Sequence, residues 1–184
     1  MLSPTLYFLR SSEQKITSDM LRYAMRLDEV DKPLFDFPAL GIYEKFYGLT
    51  TKDLGLYALV DNKIAGAVWI RLLREDHGAN GYIDANTPVL NIAVIPEFRS
   101  QGVGFSMLSQ FLQEAGAVFE QISVSILQDA KAVKLFEKLG FEKVEASEGK
   151  SPIDGSDVFT MLKKLEKKEV LRPTDGYDPR RWMD

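Results

Sequence analysis

Leu90-Asn91-Ile92-Ala93-Val94-Ile95-Pro96-Glu97-Phe98-Arg99-Ser100-Gln101-Gly102-Val103-Gly104 decides how this chain is read. The first six residues are apolar except for Asn91 and rich in β-branched types, the make-up of a buried strand. Pro96 to Gly104 carries proline and glycine and reads as a loop. Beyond it Val103, Met107, Leu108, Phe111, Leu112 and Ala115 recur at helical spacing, so Phe105–Ala115 reads as a helix. A strand feeding a glycine loop that opens a helix can hold an anion. Glycines let the main chain approach a ligand closely, and the N–H groups of the first helical turn lack partners within the helix. The positive end of the helix dipole adds to this. A plain strand-to-helix turn has the same spacing, so the loop alone does not decide. Two better-known phosphate loops are excluded. The stretch lacks the lysine and Ser/Thr of a Walker-type loop, and Met107 stands where the dinucleotide fingerprint has its third glycine.

What remains is Arg99-x-x-Gly102-x-Gly104. It resembles the Gln/Arg-x-x-Gly-x-Gly/Ala signature of the GNAT superfamily of acyl-CoA-dependent N-acyltransferases. A second block agrees. Asp129-Ala130-Lys131-Ala132 with Leu135-Phe136-Glu137-Lys138-Leu139-Gly140-Phe141 is similar to that family's Asn-x-x-Ala-x-x-Leu-Tyr-x-x-x-Gly-Phe. Two ordered blocks at this separation are far more specific than either alone. The resemblance spans residues 4–165, which marks 1–165 as a GNAT N-acetyltransferase domain and 166–184 as a C-terminal extension.

Composition sets limits around this reading. A chain of 184 residues with 45% hydrophobic and 27% charged residues suits one globular domain with a substantial core. A net charge of −4 argues against a nucleic-acid footprint. There is no cysteine, hence no disulfide, thiolate metal site or cysteine nucleophile, and a cytoplasmic location fits. One histidine and scattered acids make no metal constellation. No apolar run is long enough to span a membrane, and Met1-Leu2-Ser3-Pro4 does not open a secretory signal.

In chain order, Thr5–Arg10 reads as a strand. Ser18 or Asp19 can cap a helix over Met20–Val30. Ile42–Tyr47 reads as a short helix whose Tyr43, Phe46 and Tyr47 pack in the core or wall a substrate site; Gly48 ends it. Leu56–Val60 and Ile64–Leu73 form a hairpin about Asp61-Asn62, and Gly66 marks a bulge or close backbone contact. Val89–Ile95, Gln121–Leu127, Phe141–Ala146 and Val158–Leu165 are the later strands. Ala130–Leu139 is a helix ended by Gly140, and Pro152–Gly155 is a turn. This order is mixed α/β. The resemblance implies the GNAT fold, α/β (α+β): a central twisted mixed sheet of about seven strands flanked by about four helices, with splayed fourth and fifth strands. An exposed edge on the last strand and the aromatic tail (Tyr177, Trp182) would suit a homodimer.

The resemblance also assigns a cofactor, acetyl-CoA as co-substrate, and residues to hold it. The main chain of Ile92, Ala93 and Val94 would pair with the pantetheine arm. The N–H groups across Ser100, Gln101, Gly102, Val103, Gly104 and Phe105 would face the diphosphate. Arg99 would brace the loop or the phosphates, or else pair with Glu97 or another acid. Asp129 stands where many members have an asparagine that bonds the arm, and it can equally cap the next helix. Phe136 stands where a tyrosine usually gives a proton to the leaving thiolate, and phenylalanine has none to give. Pro88 and Val124 stand where some members place a glutamate base.

Catalytic candidates are therefore sought elsewhere. Asp84 can bind a cationic amine or take its proton through water, or be a turn carboxylate. The run His77-Gly78…Tyr82-Ile83-Asp84…Thr87-Pro88 is similar to a block in one bacterial branch of the family. His77 has the pKa for proton transfer, or is simply exposed. Asn91 can point into the cleft and orient the amine. Trp69 and Arg71 share a strand face and, with Tyr82, are substrate-wall candidates; Arg71 would favour an acceptor with a carboxylate. The function implied is N-acetyl transfer to a primary amine of a small molecule or protein. The alternative is a non-catalytic acyl-CoA-binding module of the same fold.

Overall fold

Asp61 and Asn62 both adopt positive φ (49° and 62°). That backbone twist suits a two-residue hairpin turn, and it closes β2 (Leu54–Val60) onto β3 (Lys63–Arg71). The hairpin begins the sheet of the computed structural model, which describes residues 2–128 and 131–167. β1 (Thr5–Phe8) lies outside β2, and β4 (Val89–Val94) lies beside β3. The remaining strands are β5 (Gln121–Leu127), β6 (Glu142–Lys143), β7 (Gly149–Lys150) and β8 (Asp157–Lys164). The order is β1-β2-β3-β4-β5-β8-β6, with β7 also on β8. The β4–β5 pair is parallel and the other pairs are antiparallel.

A parallel pair needs a crossover, and α2 (Val103–Ala115) supplies it. Its stripe of Val103, Met107, Leu108, Phe111, Leu112 and Ala115 is buried on one sheet face against Leu56, Val68, Ile70, Leu90 and Ile122. α1 (Gln14–Ala24) covers the other face. There Met20 and Leu21, with Leu40, Tyr43 and Tyr47, pack on Ala67, Trp69, Val89 and Ala93. Strand alternation thus sends Leu90, Ile92 and Val94 toward α2, and Val89, Asn91 and Ala93 toward α1. α3 (Ala132–Lys138) stands beside β5 and buries Phe136, which meets Phe141 edge-on at 5.0 Å. These three helices and the six-residue 3-10 helix Pro38–Tyr43 flank the sheet.

Several expected boundaries move, each for a local reason. α1 starts before Ser18, and neither Ser18 nor Asp19 caps it: both lie inside the helix, and Asp19 pairs with Lys15 (2.7 Å). The Thr17 hydroxyl donates to the Gln14 carbonyl (2.6 Å), and Ser18 donates to the Glu44 carboxylate (2.7 Å). It stops at Ala24 rather than Val30, with Arg26 and then Asp31 in left-handed backbone (φ 59° and 51°). The expected helix over Ile42–Tyr47 is replaced by the 3-10 turn Pro38–Tyr43, with Phe46 and Gly48 at positive φ after it. The bulge expected at Gly66 is present: the register slips between Ala58 and Leu59, and a Cβ at Gly66 would sit 2.3 Å from the Ala93 carbonyl oxygen. β8 is not an edge strand, since β5 lies on one side of it and β6 and β7 on the other, so the edge argument for a dimer falls away. Residues 168–184 of the extension, with Tyr177 and Trp182, lie outside the described residues, as does Asp129. No helix among the described residues is long and apolar enough to cross a membrane.

Candidate active site

β4 and β5 share one bridged pair, Val89 with Ser123. Side chains fix this apex. Ser123 donates its N–H to the Pro88 carbonyl (3.1 Å) and its buried hydroxyl to the Gly81 carbonyl (2.6 Å). Gln121 Nε2 donates to Thr87 Oγ1 (2.7 Å), and that hydroxyl donates to Asp84 Oδ1 (2.9 Å). Past the apex β4 stays with β3 and β5 stays with β8, so the two strands part. A cavity of about 680 Å³ fills the divergence. Its walls are residues 90–94 of β4, residues 124–127 of β5, Leu135 and Phe136 of α3, and Arg99, Ser100 and Gly104 at one end. Residues 23–26, Tyr43 and the 151–154 turn close the α1 side.

Which main-chain groups face the gap follows from the ladder. Ile95 N–H donates to the Ala65 carbonyl (2.8 Å). Antiparallel alternation then commits Ala93 and Asn91 to β3 and turns Ile92 and Val94 toward β5. Arg99 Nε donates to the Val94 carbonyl (2.8 Å), as that direction requires. Of the three residues expected to offer main chain to a cofactor arm, Ala93 is therefore spent on β3, and Ile92 and Val94 face the gap.

At the cavity's end Ser100 (φ 60°) and Gly102 (φ 87°) turn the chain into α2. Gly102 is the N-cap and has no side chain to bond the first turn, which leaves the Val103, Gly104 and Phe105 N–H groups without a side-chain cap. Gln101 bonds backward, its Nε2 to the Glu97 carbonyl (2.9 Å). Phe105 is partly exposed beneath the Lys138 ammonium, 4.8 Å from the ring centroid. Arg99 pairs with Asp28 (3.6 Å) and Glu29 (3.8 Å) rather than Glu97, so it ties the loop to the segment after α1. Phe136 is fully buried and lines the cavity.

The acceptor-side candidates divide. Asn91 lines the cavity, is 6% exposed, and its Nδ2 is buried with no hydrogen-bond partner. Trp69 is fully buried and donates to the Tyr43 carbonyl (2.8 Å), which makes it core rather than wall. Arg71 pairs with Asp53 (3.2 Å) and donates to the carbonyls of Ile42 (3.1 Å) and Lys45 (2.5 Å), so it locks a turn and is not free for a substrate carboxylate. Tyr82 packs on the α1-side core outside the cavity lining. His77 Nδ1 accepts from Arg74 N–H (3.2 Å) in a surface turn, also outside it.

Asp84 accepts from Asn86 N–H (2.8 Å) as well as from Thr87, which makes it the turn carboxylate of the two readings. The Asn86 N–H, then the Thr87 hydroxyl, hold its carboxyl below the usual value of 3.8, the wrong direction for a base. A group so lowered contributes stability above its unfolded pKa and loses it as pH falls through the folded one. Asp84→Ala is expected to lower the melting temperature at pH 7, with the deficit shrinking as pH is taken below 3.8 and the pH dependence of turnover unmoved. Melts and rates at matched pH check this; a rate profile that loses its acid limb in the variant would restore Asp84 as a base.

Several cavity residues carry no sequence signal. Tyr23 and Arg26 enter the wall because α1 ends early, and the left-handed turn at Arg26 is not legible in its residue type. The aromatics after Pro38 split three ways. Tyr43 lines the cavity, Tyr47 is core with its hydroxyl on the Leu9 carbonyl (3.3 Å), and Phe46 is 67% exposed. Burial pushes the Tyr43 phenol up to about 12. Ser125 was readable as a polar position on β5, and Lys131 lay inside the second motif.

Comparison with known proteins bears on this geometry. The acetyltransferase (GNAT) family model matches residues 21–141. The chain is similar in structure to an acetyltransferase of GNAT family from Streptococcus pneumoniae (18% identity, 89% of this chain and 99% of that one, TM-score 0.63). It is also similar to a phosphinothricin acetyltransferase from Sinorhizobium meliloti solved with acetyl-CoA (18%, 97% and 97%, 0.61). A third similar structure is the ribosomal-protein-S18-alanine N-acetyltransferase from Escherichia coli (14%, 94% and 100%, 0.59). At these identities the likeness is one of fold. Comparison with curated proteins by sequence gives no match.

Proposed function

We propose that this chain, which belongs to the acetyltransferase (GNAT) family, transfers the acetyl group of acetyl-CoA directly to a primary amine, without a covalent enzyme intermediate. The observation that carries the reading is the gap between two parallel strands that share one bridge and end at an uncapped helix. The residues present suit the cofactor. Ile92 and Val94 offer main chain to the gap, as they would to an added strand. The first turn of α2 offers N–H groups where a diphosphate would end, and Arg99 and Lys131 add positive charge to the lining. When bound, acetyl-CoA supplies a thioester whose C–S bond breaks as the C–N bond forms, with one proton leaving the amine and one reaching sulfur.

The chain's own part is to position the two partners and exclude water. Phe136 gives sulfur no proton. The Tyr43 hydroxyl lines the same cavity and can offer a hydrogen bond there, but burial makes it a weaker acid than an ordinary phenol, so the proton reaches sulfur from water. No base stands at Pro88 or Val124, so the amine reaches the site neutral and its proton passes to water. A cytoplasmic setting accords with the cysteine-free composition.

The specific observation favouring a second reading is Phe136: without a hydroxyl there, the fold could bind an acyl-CoA and not turn it over. Calorimetry with acetyl-CoA and thiol release over a panel of amines separate the two. Heat with turnover on any amine well above solvent hydrolysis supports the transferase, and heat with no turnover on a wide panel supports the binding module. Absence of heat at millimolar acetyl-CoA removes both.

A further inference from the structure

Asn91 is an anomaly in its setting. It is the polar residue in a strand otherwise apolar from Val89 to Ile95, it is more than nine-tenths buried, and the chain provides no partner for its Nδ2. An amide left so costs stability relative to an apolar residue of the same size, so the fold itself gives no reason for it. Its side chain points to the α1 side of the sheet, opposite the face that packs on α2, and it lines the cavity there with Tyr23 and Tyr43. Its chain neighbour Ile92 turns main chain into the gap. A group received by the Asn91 amide would therefore lie a short reach from the thioester carbon.

The chemistry of that group follows from what Nδ2 can do. It donates and cannot accept. A bond from it to the attacking nitrogen would occupy the lone pair that must form the new C–N bond. Its useful partner is an oxygen next to the amine. The rest of the wall agrees. Tyr23, Tyr43 and Lys131 supply hydroxyl and cationic donors, while Arg26 and Arg99 are held by Asp28 and Glu29. The two carboxylates among the described lining residues, Glu29 and Asp154, are both exposed at the rim. Both are engaged there, Glu29 with Arg26 and Arg99, Asp154 with the Ser156 N–H (3.0 Å). The lining itself offers a polycation no buried anion; Asp28, whose Oδ1 is buried without a hydrogen-bond partner, lies outside it and faces Arg99.

We infer that the acceptor is an α-amino carbonyl compound, a free amino acid or a peptide N-terminus, whose carbonyl or carboxylate oxygen is received by the Asn91 amide, and that polyamines are excluded. This rests on the transferase reading above.

The test measures thiol release with the full chain, acetyl-CoA and five amines: alanine, alanine amide, dialanine, butylamine and spermidine. At least one α-amino carbonyl compound is expected to exceed butylamine and spermidine in kcat/KM by about tenfold or more, the scale of one buried hydrogen bond. Alanine against dialanine tells the free acid from the peptide source. Asn91→Leu is expected to erase that preference, leave acetyl-CoA affinity by calorimetry unchanged, and melt at or above the wild-type temperature. Asn91→Asp, which keeps an acceptor and loses the donor, is expected to lose the preference as well. The inference is overturned if spermidine or butylamine is used as well or better, if no amine is used although acetyl-CoA binds, or if either variant keeps the preference. A lower melting temperature for Asn91→Leu would also overturn it by showing a structural role. Absence of heat with acetyl-CoA would instead remove the reading beneath it.

Discussion

Gly102→Glu is expected to weaken acetyl-CoA binding by at least about 100-fold, or about 2.7 kcal/mol. Two causes act together. Gly102 holds φ at 87°, where a side chain costs roughly 1–2 kcal/mol. The new carboxylate would also settle at the N-terminus of α2, where it competes with the cofactor's diphosphate for the same N–H groups and repels it. Gly102→Ala carries the strain without the charge. Calorimetry on both variants separates the causes: the alanine variant should lose binding only modestly, and its melting temperature should fall at least as much as that of the glutamate variant, whose carboxylate favours the uncapped helix end. A glutamate variant that binds acetyl-CoA as the wild type does would place the diphosphate elsewhere and undo the cofactor assignment.

Gly66→Ala is expected to destabilise the fold by roughly 3 kcal/mol, at the upper end of overpacking costs, and so to lower the melting temperature by about 6–12 °C. The obstacle is backbone. An added Cβ would sit 2.3 Å from the Ala93 carbonyl oxygen and 3.3 Å from Val94 Cα, and neither can swing aside as the end of a side chain can. Moving them shifts β4 at the residues that face the gap, so acetyl-CoA affinity should fall in the same variant. Gly78→Ala serves as the comparison: its φ is positive (60°), a strain Gly66 does not carry, but a Cβ there meets nothing within 4 Å. Urea titrations of both variants check the ordering, and a Gly78 variant less stable than the Gly66 variant would contradict it.

Sequence legibility followed the range of the interactions involved. The β4–α2 junction was readable because its signals are local: a strand composition, glycines where the chain turns and a helical stripe. The β2–β3 turn and the bulge at Gly66 were readable for the same reason. The start of α1 is not legible because Ser18 and Asp19 have the residue types of caps, while their side chains are used by Glu44, distant in sequence, and by Lys15 one turn back. Arg71 looked like a cation waiting for a substrate, but its partner Asp53 is supplied by the preceding loop across the sheet. Asp84 can be read from its residue type as a base or as a turn carboxylate; with Thr87 it anchors Gln121 on the neighbouring strand, a partner its own stretch does not announce. The acceptor wall was the least legible part. Residues 23–26, Tyr43, Asn91 and the 151–154 turn meet only through tertiary packing, and nothing in their spacing announces it.

The single rung between β4 and β5 has a mechanical consequence. The sheet is two panels, β1 to β4 and β5 to β8, sewn together at one stitch and one crossover helix. Among the described residues every other strand-to-strand ladder lies within a panel, and the side-chain bonds of Ser123 and Gln121 cluster at the same apex, so the panels can open or close slightly about Val89 and Ser123 without breaking a ladder. A molecule lying along the seam works as a second stitch, and filling it should stiffen the whole protein rather than one pocket of it.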